Sequence, residues 1–277
     1  VAWTEFDGKN IVFTDIQKGP VMRVATYERG RLRFWTDPFE INVSNEFHFF
    51  TPSDSVQDVT LFAKYTLRAD EMFLNRMIGG TFEGSNDPDF REKEVLYLIN
   101  EKPKRLQTVV QSYSSKSYRY VRYIGPKDSH CNIAEAAFYT PNDTASLKGK
   151  VIGTPGCFQK DGSHEYTNVF DGDVTTSFDY IEPSGGWSGL DLGTPKQIGR
   201  IVYTPRSYDN YIRSGDDYEL FYCARRNNWK SLGDQRSKAD SLIYIKIPVN
   251  ALLLLCNNTR GIQERIFVYT AAEQIWK

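Results

Sequence analysis

Three groups of residues in this 277-residue chain carry side chains suited to chemistry. The first is Asp171-Gly-Asp-Val-Thr-Thr176, which sets two carboxylates and two hydroxyls around a glycine. A hard cation such as calcium takes about six to eight oxygen ligands, and Asp171, Asp173 and Thr176 are the donors this turn supplies. The same composition also builds an Asx-turn, in which the carboxylates accept hydrogen bonds from nearby amides and no ion is needed. Both readings are open at this level.

The second group is Arg206-Ser-Tyr-Asp-Asn-Tyr-Ile-Arg213. Sugars are recognised by aromatic faces against their C–H surfaces and by planar polar groups that bond paired hydroxyls. Arg206, Tyr208, Asn210, Tyr211 and Arg213 provide both kinds within one loop between two strand-like runs, where binding residues are commonly displayed. Trp187 joins them as a further aromatic candidate. The alternative is structural: Tyr211 and Ile212 plug a sandwich end, Arg206 pairs with Asp191 or Asp217, and Trp187 packs beside Gly185-Gly186. A second polar pocket is available at Asn75-Arg-Met-Ile-Gly-Gly80 and Ser85-Asn-Asp-Pro88, although the glycines there also serve backbone geometry.

The third group argues against catalysis. His48, His130 and His164 are the three histidines, and neither G-x-S-x-G nor H-E-x-x-H occurs. Cys131 follows His130, but adjacent strand residues point to opposite faces and form no dyad there. The expectation is a non-enzymatic protein, although a glycosidase carboxylate pair leaves no sequential signature. Cys131, Cys157, Cys223 and Cys256 lack paired zinc spacing, and Cys223 and Cys256 lie in apolar runs that suit buried thiols.

The elements that must position these residues read as strands. Forty per cent of residues are hydrophobic, and 17 Tyr with 17 Phe favour sheets over helices. Ile11-Val-Phe-Thr14, Val21 to Tyr27, Leu32 to Trp35 and Glu46 to Phe50 are short strand candidates punctuated by Gly19-Pro20, Arg29-Gly30 and Asp37-Pro38. Glu92 to Ile99 and Tyr118 to Ile124 continue the pattern, with Arg119 and Arg122 alternating outward. Trp229 reads as a packed strand residue. Basic and acidic residues number 34 and 35, for a net charge of −1, so no global field attracts nucleic acid. No run reaches the ~18 apolar residues of a membrane helix, and the sequence at Val1 shows no signal-peptide pattern, which leads us to expect a soluble piece of something longer.

Internal repetition organises the rest. Thr51-Pro52 matches Thr194-Pro195, Tyr65-Thr-Leu-Arg68 matches Tyr203-Thr-Pro-Arg206, Phe82-Glu83 matches Tyr218-Glu219, and Ile133 to Thr140 matches Ile262 to Thr270. The order is the same in both halves. Two diverged copies of one domain are expected, over 1–140 and 147–277, joined at the turn-rich Pro141 to Gly149. In the first copy only Phe6-Asp-Gly8 answers to the acidic turn.

Asp171 to Thr176, Trp187-Ser-Gly-Leu-Asp-Leu-Gly193 and Ile201 to Arg206 together resemble the coagulation-factor type C, or discoidin, family, with its Asp-Gly-x-x-x-Thr loop, Trp-x-x-x-Asp-Leu-Gly and following Ile-containing strand. Phe82-Glu-Gly-Ser-Asn-Asp87, Tyr118 to Tyr123 and Ile133-Ala-Glu135 resemble its Gly-Ser-x-Asp turn and closing strands. More narrowly, most of residues 40 to 277 is similar to the tandem discoidin-like C-terminal region of secreted or surface proteins of Bacteroides-type bacteria, found after transglutaminase-like domains. The resemblance implies an all-β chain of two tandem jelly-roll β-sandwiches that binds glycan or polysaccharide through loops at one end of the second sandwich. It also implies a structural calcium closed by Glu264, and a secreted or outer-surface location. The competing expectation is a structural or protein-interaction module that docks a preceding catalytic domain.

Overall fold

A computed structural model describes residues 2, 4, 9, 12–65, 68–225, 228–261 and 265–277. Phe6-Asp-Gly8 and Glu264, two elements of the expected acidic sites, lie outside the described residues. The fold is all-β, built from antiparallel sheets, with one short helix among the described residues. In chain order the first segment carries β1 (Ala25–Glu28), β2 (Arg31–Phe34), β3 (Phe39–Ile41), β4 (Phe47–Phe49) and β5 (Val56–Leu61). Then come helix α1 (Arg68–Asn75), β6 (Thr81–Ser85), β7 (Lys93–Leu98), β8 (Thr108–Gln111), β9 (Ser117–Ile124), β10 (Cys131–Tyr139) and β11 (Lys150–Gly153). A 3-10 turn at Tyr166–Phe170 leads to β12 (Phe178–Asp179), β13 (Trp187–Gln197) and β14 (Arg200–Pro205). The last segment carries β15 (Asp217–Ala224), β16 (Asn228–Arg236), β17 (Leu242–Pro248), β18 (Leu253–Asn257), β19 (Ile266–Thr270) and β20 (Glu273–Trp276).

The chain divides into two units, but not at the expected linker. One unit is the continuous stretch 66–213, and the other joins 1–65 to 214–277. Residues 141–149 lie inside the continuous unit, because strands on either side of them pair: β9 with β13 and β10 with β14. Each unit therefore combines a half of each expected copy. The matched segments also differ in structure: Thr194-Pro195 and Tyr203-Thr-Pro205 lie in β13 and β14, whereas Thr51-Pro52 and Tyr65 lie outside the strands.

The 66–213 unit is a sandwich of two sheets, ordered β12-β10-β14-β8 and β11-β13-β9-β6-β7. Its core gathers Phe82, Tyr123, Phe138, Ile201 and Tyr203, with Phe82 at 5.1 Å, 6.0 Å and 5.3 Å (ring centroids) from Tyr123, Phe138 and Tyr203. Such aromatic pairs add about 0.5–1.5 kcal/mol each beyond their burial. Strand β10 enters this core with Ile133 and leaves it with Ala136 and Phe138, so the inward phase changes from odd to even positions. A register shift between Ile133 and Glu135 against β14 produces the change, as a bulge does.

Outside the five-stranded sheet, the two arginines of β9 part ways. Arg119 stays at the surface and pairs with Asp191 at 2.8 Å. Arg122 is buried instead, 2.8 Å from Glu83 through Nε, with its guanidinium 4.0 Å from the Phe90 ring centroid. Alternation sends Arg122 away from the core, and the 86–92 loop then covers it.

In the other unit, β5 pairs with β17 from Leu61 opposite Leu242 to Val56 opposite Pro248, which joins the two chain segments. A five-stranded sheet runs β16-β15-β18-β19-β20. Phe50, Cys223 and Leu252 form a small core there, backed by Val21, Ile266 and Val268. Trp229 is more exposed than its strand position in β16 implied, at 39%. All four cysteines are free thiols.

Candidate functional site

The loops of the 66–213 unit converge through backbone and side-chain contacts. Arg206 N donates to Asn132 O at 3.0 Å, and Asp128 N donates to Ser184 Oγ at 3.0 Å. His130 Nδ1 lies 2.6 Å from Tyr180 O. Phe73 of α1 stacks obliquely on Tyr208, ring centroids 5.7 Å apart, and lies under the Arg206 guanidinium at 4.3 Å. The helix, residues 125–132, residues 180–186 and residues 206–213 thus share one end of the sandwich.

Of the sugar-binding candidates, this geometry leaves one side chain displayed. Tyr208 is 48% exposed. Asn210 and Tyr211 are 3% and 2% exposed and Ile212 is fully buried, so these residues plug the sandwich end. Arg206 forms an ion pair with Asp179, neither of the partners foreseen: Asp191 is held by Arg119, and Asp217 belongs to the other unit. Arg213 forms an ion pair with Asp209, four residues back. Trp187 opens β13 on the sheet's outer face, its ring 5.7 Å from that of Phe90 and 5.2 Å from the Arg122 guanidinium. It packs there rather than on a ligand loop.

The acidic turn is knit together internally. Asp171 Oδ1 accepts from Asp173 N at 2.7 Å and Oδ2 from Thr176 Oγ1 at 2.8 Å, while Asp173 Oδ1 accepts from Thr175 N and Oγ1. These are the hydrogen bonds of Asx-turns. The Thr175 bonds hold the Asp173 carboxyl below the usual range. Glu135 closes this turn from β10, accepting from Gly172 N at 2.8 Å. Burial first, then Asp171 beside it, pushes the Glu135 carboxyl up to about 8. The donors are hard oxygens of the kind calcium takes, yet among the described residues no three His, Cys, Asp or Glu converge as a metal-holding group. The sequence does carry a signal for Glu135: Ile133-Ala-Glu135 matches Ile262-Gln-Glu264 in the repeat.

Two clefts open on this unit. One, of about 420 Å³, is lined by Ser85 to Asp87, Glu92 to Glu94 and Lys116. Its lysines are paired, Lys116 with Glu94 at 2.8 Å and Lys93 with Glu83 at 2.7 Å, and its Asp87 is held by Arg91 at 2.9 Å. Lys116, then Ser114 and Tyr118, hold the Glu94 carboxyl down to about 2. The other cleft, of about 550 Å³, lies between α1 and residues 126–129. It combines apolar Met72, Ile78 and Pro126 with polar Asn75, Arg76, Lys127 and Asp128. The two stretches singled out as one second polar pocket thus line separate clefts. Sequence reading gave α1 no helix and so missed Met72 and Phe73.

The nucleophile candidates are occupied in the fold. Cys131 donates to Gly186 O at 2.8 Å, and burial pushes its thiol up to about 12. His164 Nδ1 lies 3.3 Å from Ser177 Oγ. No helix among the described residues is long and apolar enough to cross a membrane. No protein-family model, curated protein or solved structure matches the chain.

Proposed function

We propose that this chain is a non-catalytic carbohydrate-binding protein that holds glycan at the loop end of its 66–213 unit. The observation that carries this reading is the 550 Å³ cleft beside α1, where apolar side chains and planar polar groups line one wall-to-wall surface. That mixture serves a sugar, whose C–H faces need apolar contact and whose hydroxyls need paired donors and acceptors. Tyr208 adds an exposed aromatic ring, supported from behind by Phe73 of the same helix. The engaged state of Cys131, His130 and His164 supports the non-catalytic side of the reading. The discoidin-like motifs support it independently, and with it a place in a secreted or surface protein of a bacterium.

A structural calcium ion belongs to the same reading. Asp171, Asp173, Thr176 and Glu135 would supply its oxygens, and its charge would take the place of the proton that burial favours on Glu135. The direct test of function is a glycan-array screen of the full chain, with calcium and with chelator, followed by titration of the hits. Weak binding is expected, about micromolar to millimolar, because sugar hydroxyls must be desolvated. Tyr208→Ala should weaken it about threefold to tenfold with the fold intact. An array that stays blank in both conditions rejects the proposal.

A second reading, a protein-interaction module, is favoured by a different observation. In the 1–65/214–277 unit, Tyr27, Trp35, Phe47 and Phe49 are all more than 40% exposed. Phe47 and Phe49 stack with ring centroids 6.4 Å apart, and exposed aromatic patches of this kind mark contact surfaces.

A further inference from the structure

We infer that the cleft between α1 and residues 126–129 selects acidic sugars, binding the carboxylate or sulfate of the glycan between Arg76 and Lys127. This deepens the carbohydrate-binding reading and rests on it. The argument begins from charge satisfaction. Both cations that line the 420 Å³ cleft, Lys93 and Lys116, are tied to carboxylates. At the α1 cleft the same accounting fails: among the described residues neither Arg76 nor Lys127 makes an ion pair or a side-chain hydrogen bond, and both line the same 550 Å³ space. Asp128 lines it too and also makes no ion pair. The cleft therefore has a net positive wall with one carboxylate left to accept from hydroxyls.

A buried group independently calls for a ligand. Ser129 lines the cleft at 2% exposure, and its Oγ has no hydrogen-bond partner in the protein. An unpaired buried hydroxyl is unfavourable, so a ligand oxygen that reaches Oγ, once a side-chain rotation uncovers it, is favoured by satisfying it. The wall is also pre-shaped. Asp128 takes a φ of 60° and its amide is held by Ser184 Oγ at 3.0 Å, fixing the segment that carries Lys127 and Ser129.

The helix end opposes an anion only weakly. The carbonyls of Met72, Leu74 and Asn75 are taken by the amides of Arg76, Met77 and Ile78, so few free oxygens face the cleft. Two positive charges against the single Asp128 carboxylate leave a net positive charge that outweighs that residual dipole. A guanidinium fork fits the planar carboxylate of a uronic or sialic acid and the oxygens of a sulfate ester alike.

The test is calorimetric titration of the full chain against paired glycans, each acidic member (uronate, sialylated or sulfated) set beside its methyl-esterified, desialylated or desulfated counterpart. The acidic members should bind at least about tenfold more tightly, and Arg76→Gln and Lys127→Gln should each remove about tenfold of that preference. Raised salt should erode the preference too. The uronate and sulfate arms identify which anion is taken. Lys127→Gln alters an exposed side chain and keeps the test open if Arg76→Gln fails to fold. Equal binding of acidic and neutral members, or unchanged preference in Lys127→Gln, overturns the inference and leaves glycan binding standing. Binding to neither class overturns both.

Discussion

Glu135 is the residue at which sequence, strand geometry and pH meet. The bulge in β10 points Ile133 and Phe138 into the core from opposite phases and leaves Glu135 against the Asp171 turn. Burial raises its carboxyl from an ordinary 4.5 to about 8, with Asp171 adding to the shift. The folded state therefore holds a proton that the unfolded chain releases above about pH 4.5. The stabilising contribution is full below that value and is lost as pH rises towards 8. In chelator, the wild-type melting temperature should fall between pH 5 and pH 8, and Glu135→Gln should flatten that fall. Calcium should restore stability at pH 8 in the wild type and not in the variant. A slope unchanged by Glu135→Gln removes Glu135 from this role. The carboxylates of the turn were legible in the sequence, because Asx chemistry is local. Glu135, which closes the turn from β10, was not legible, because that depends on which strand lies beside the turn; Glu264, the residue expected there, lies outside the described residues.

At the scale of the element, β9 and β13 show what alternation does and does not dictate. Strict period-two patterning puts residues three apart on opposite faces, yet Arg119 and Arg122 both lie off the core face, because the inward phase changes between Tyr118 and Val121, where β13 shifts register against β9. Patterning also carries no information on what covers that face, and Phe90 and Trp187 bury Arg122 while Arg119 stays wet. Trp187 is held in the same stack, which is why its aromatic face is not offered to a ligand. Glu83 beneath is 3% exposed and depends on Arg122 and on Lys93 at 2.7 Å. Removing one partner of a buried pair costs about 3–5 kcal/mol, because the other charge is left without compensation. Arg122→Ala should cost near the lower end of that range, since Lys93 remains. Arg122→Ala with Glu83→Gln should cost less than the single change, as the stranded charge is gone. Urea denaturation of the three proteins measures both, and a double variant less stable than the single one contradicts the account. Helix α1 went unread because its eight residues make little more than two turns, too short a run to separate a helical period from a loop, although they carry Phe73 and the wall of the cleft.

At the scale of the whole molecule, the four ordered matches between the halves were visible, and so was the all-β character. Short sequence matches do not show which segments fold together, because strand pairing is decided by contacts distant in sequence. Here the second half of the first copy joins the first half of the second, and the outer halves join each other. The hydrogen bonding is explicit on both sides: β10 pairs with β14 within 66–213, and β5 with β17 in the other unit. A segment whose sheets and core are complete should fold by itself. Residues 66–213 contain both sheets and the whole aromatic cluster around Phe82, so this fragment should be monomeric, give dispersed amide resonances and unfold in one cooperative transition. A 1–140 fragment keeps β9 and β10 but loses β13 and β14, leaving long unpaired edges and half a core; it should aggregate or melt without cooperativity. A cooperative 1–140 fragment beside a molten 66–213 fragment would mean that the copies fold as the linear repeat suggests. With the expected result, the glycan titrations can be repeated on 66–213, and retention of the wild-type affinities there would confine the binding function to that unit.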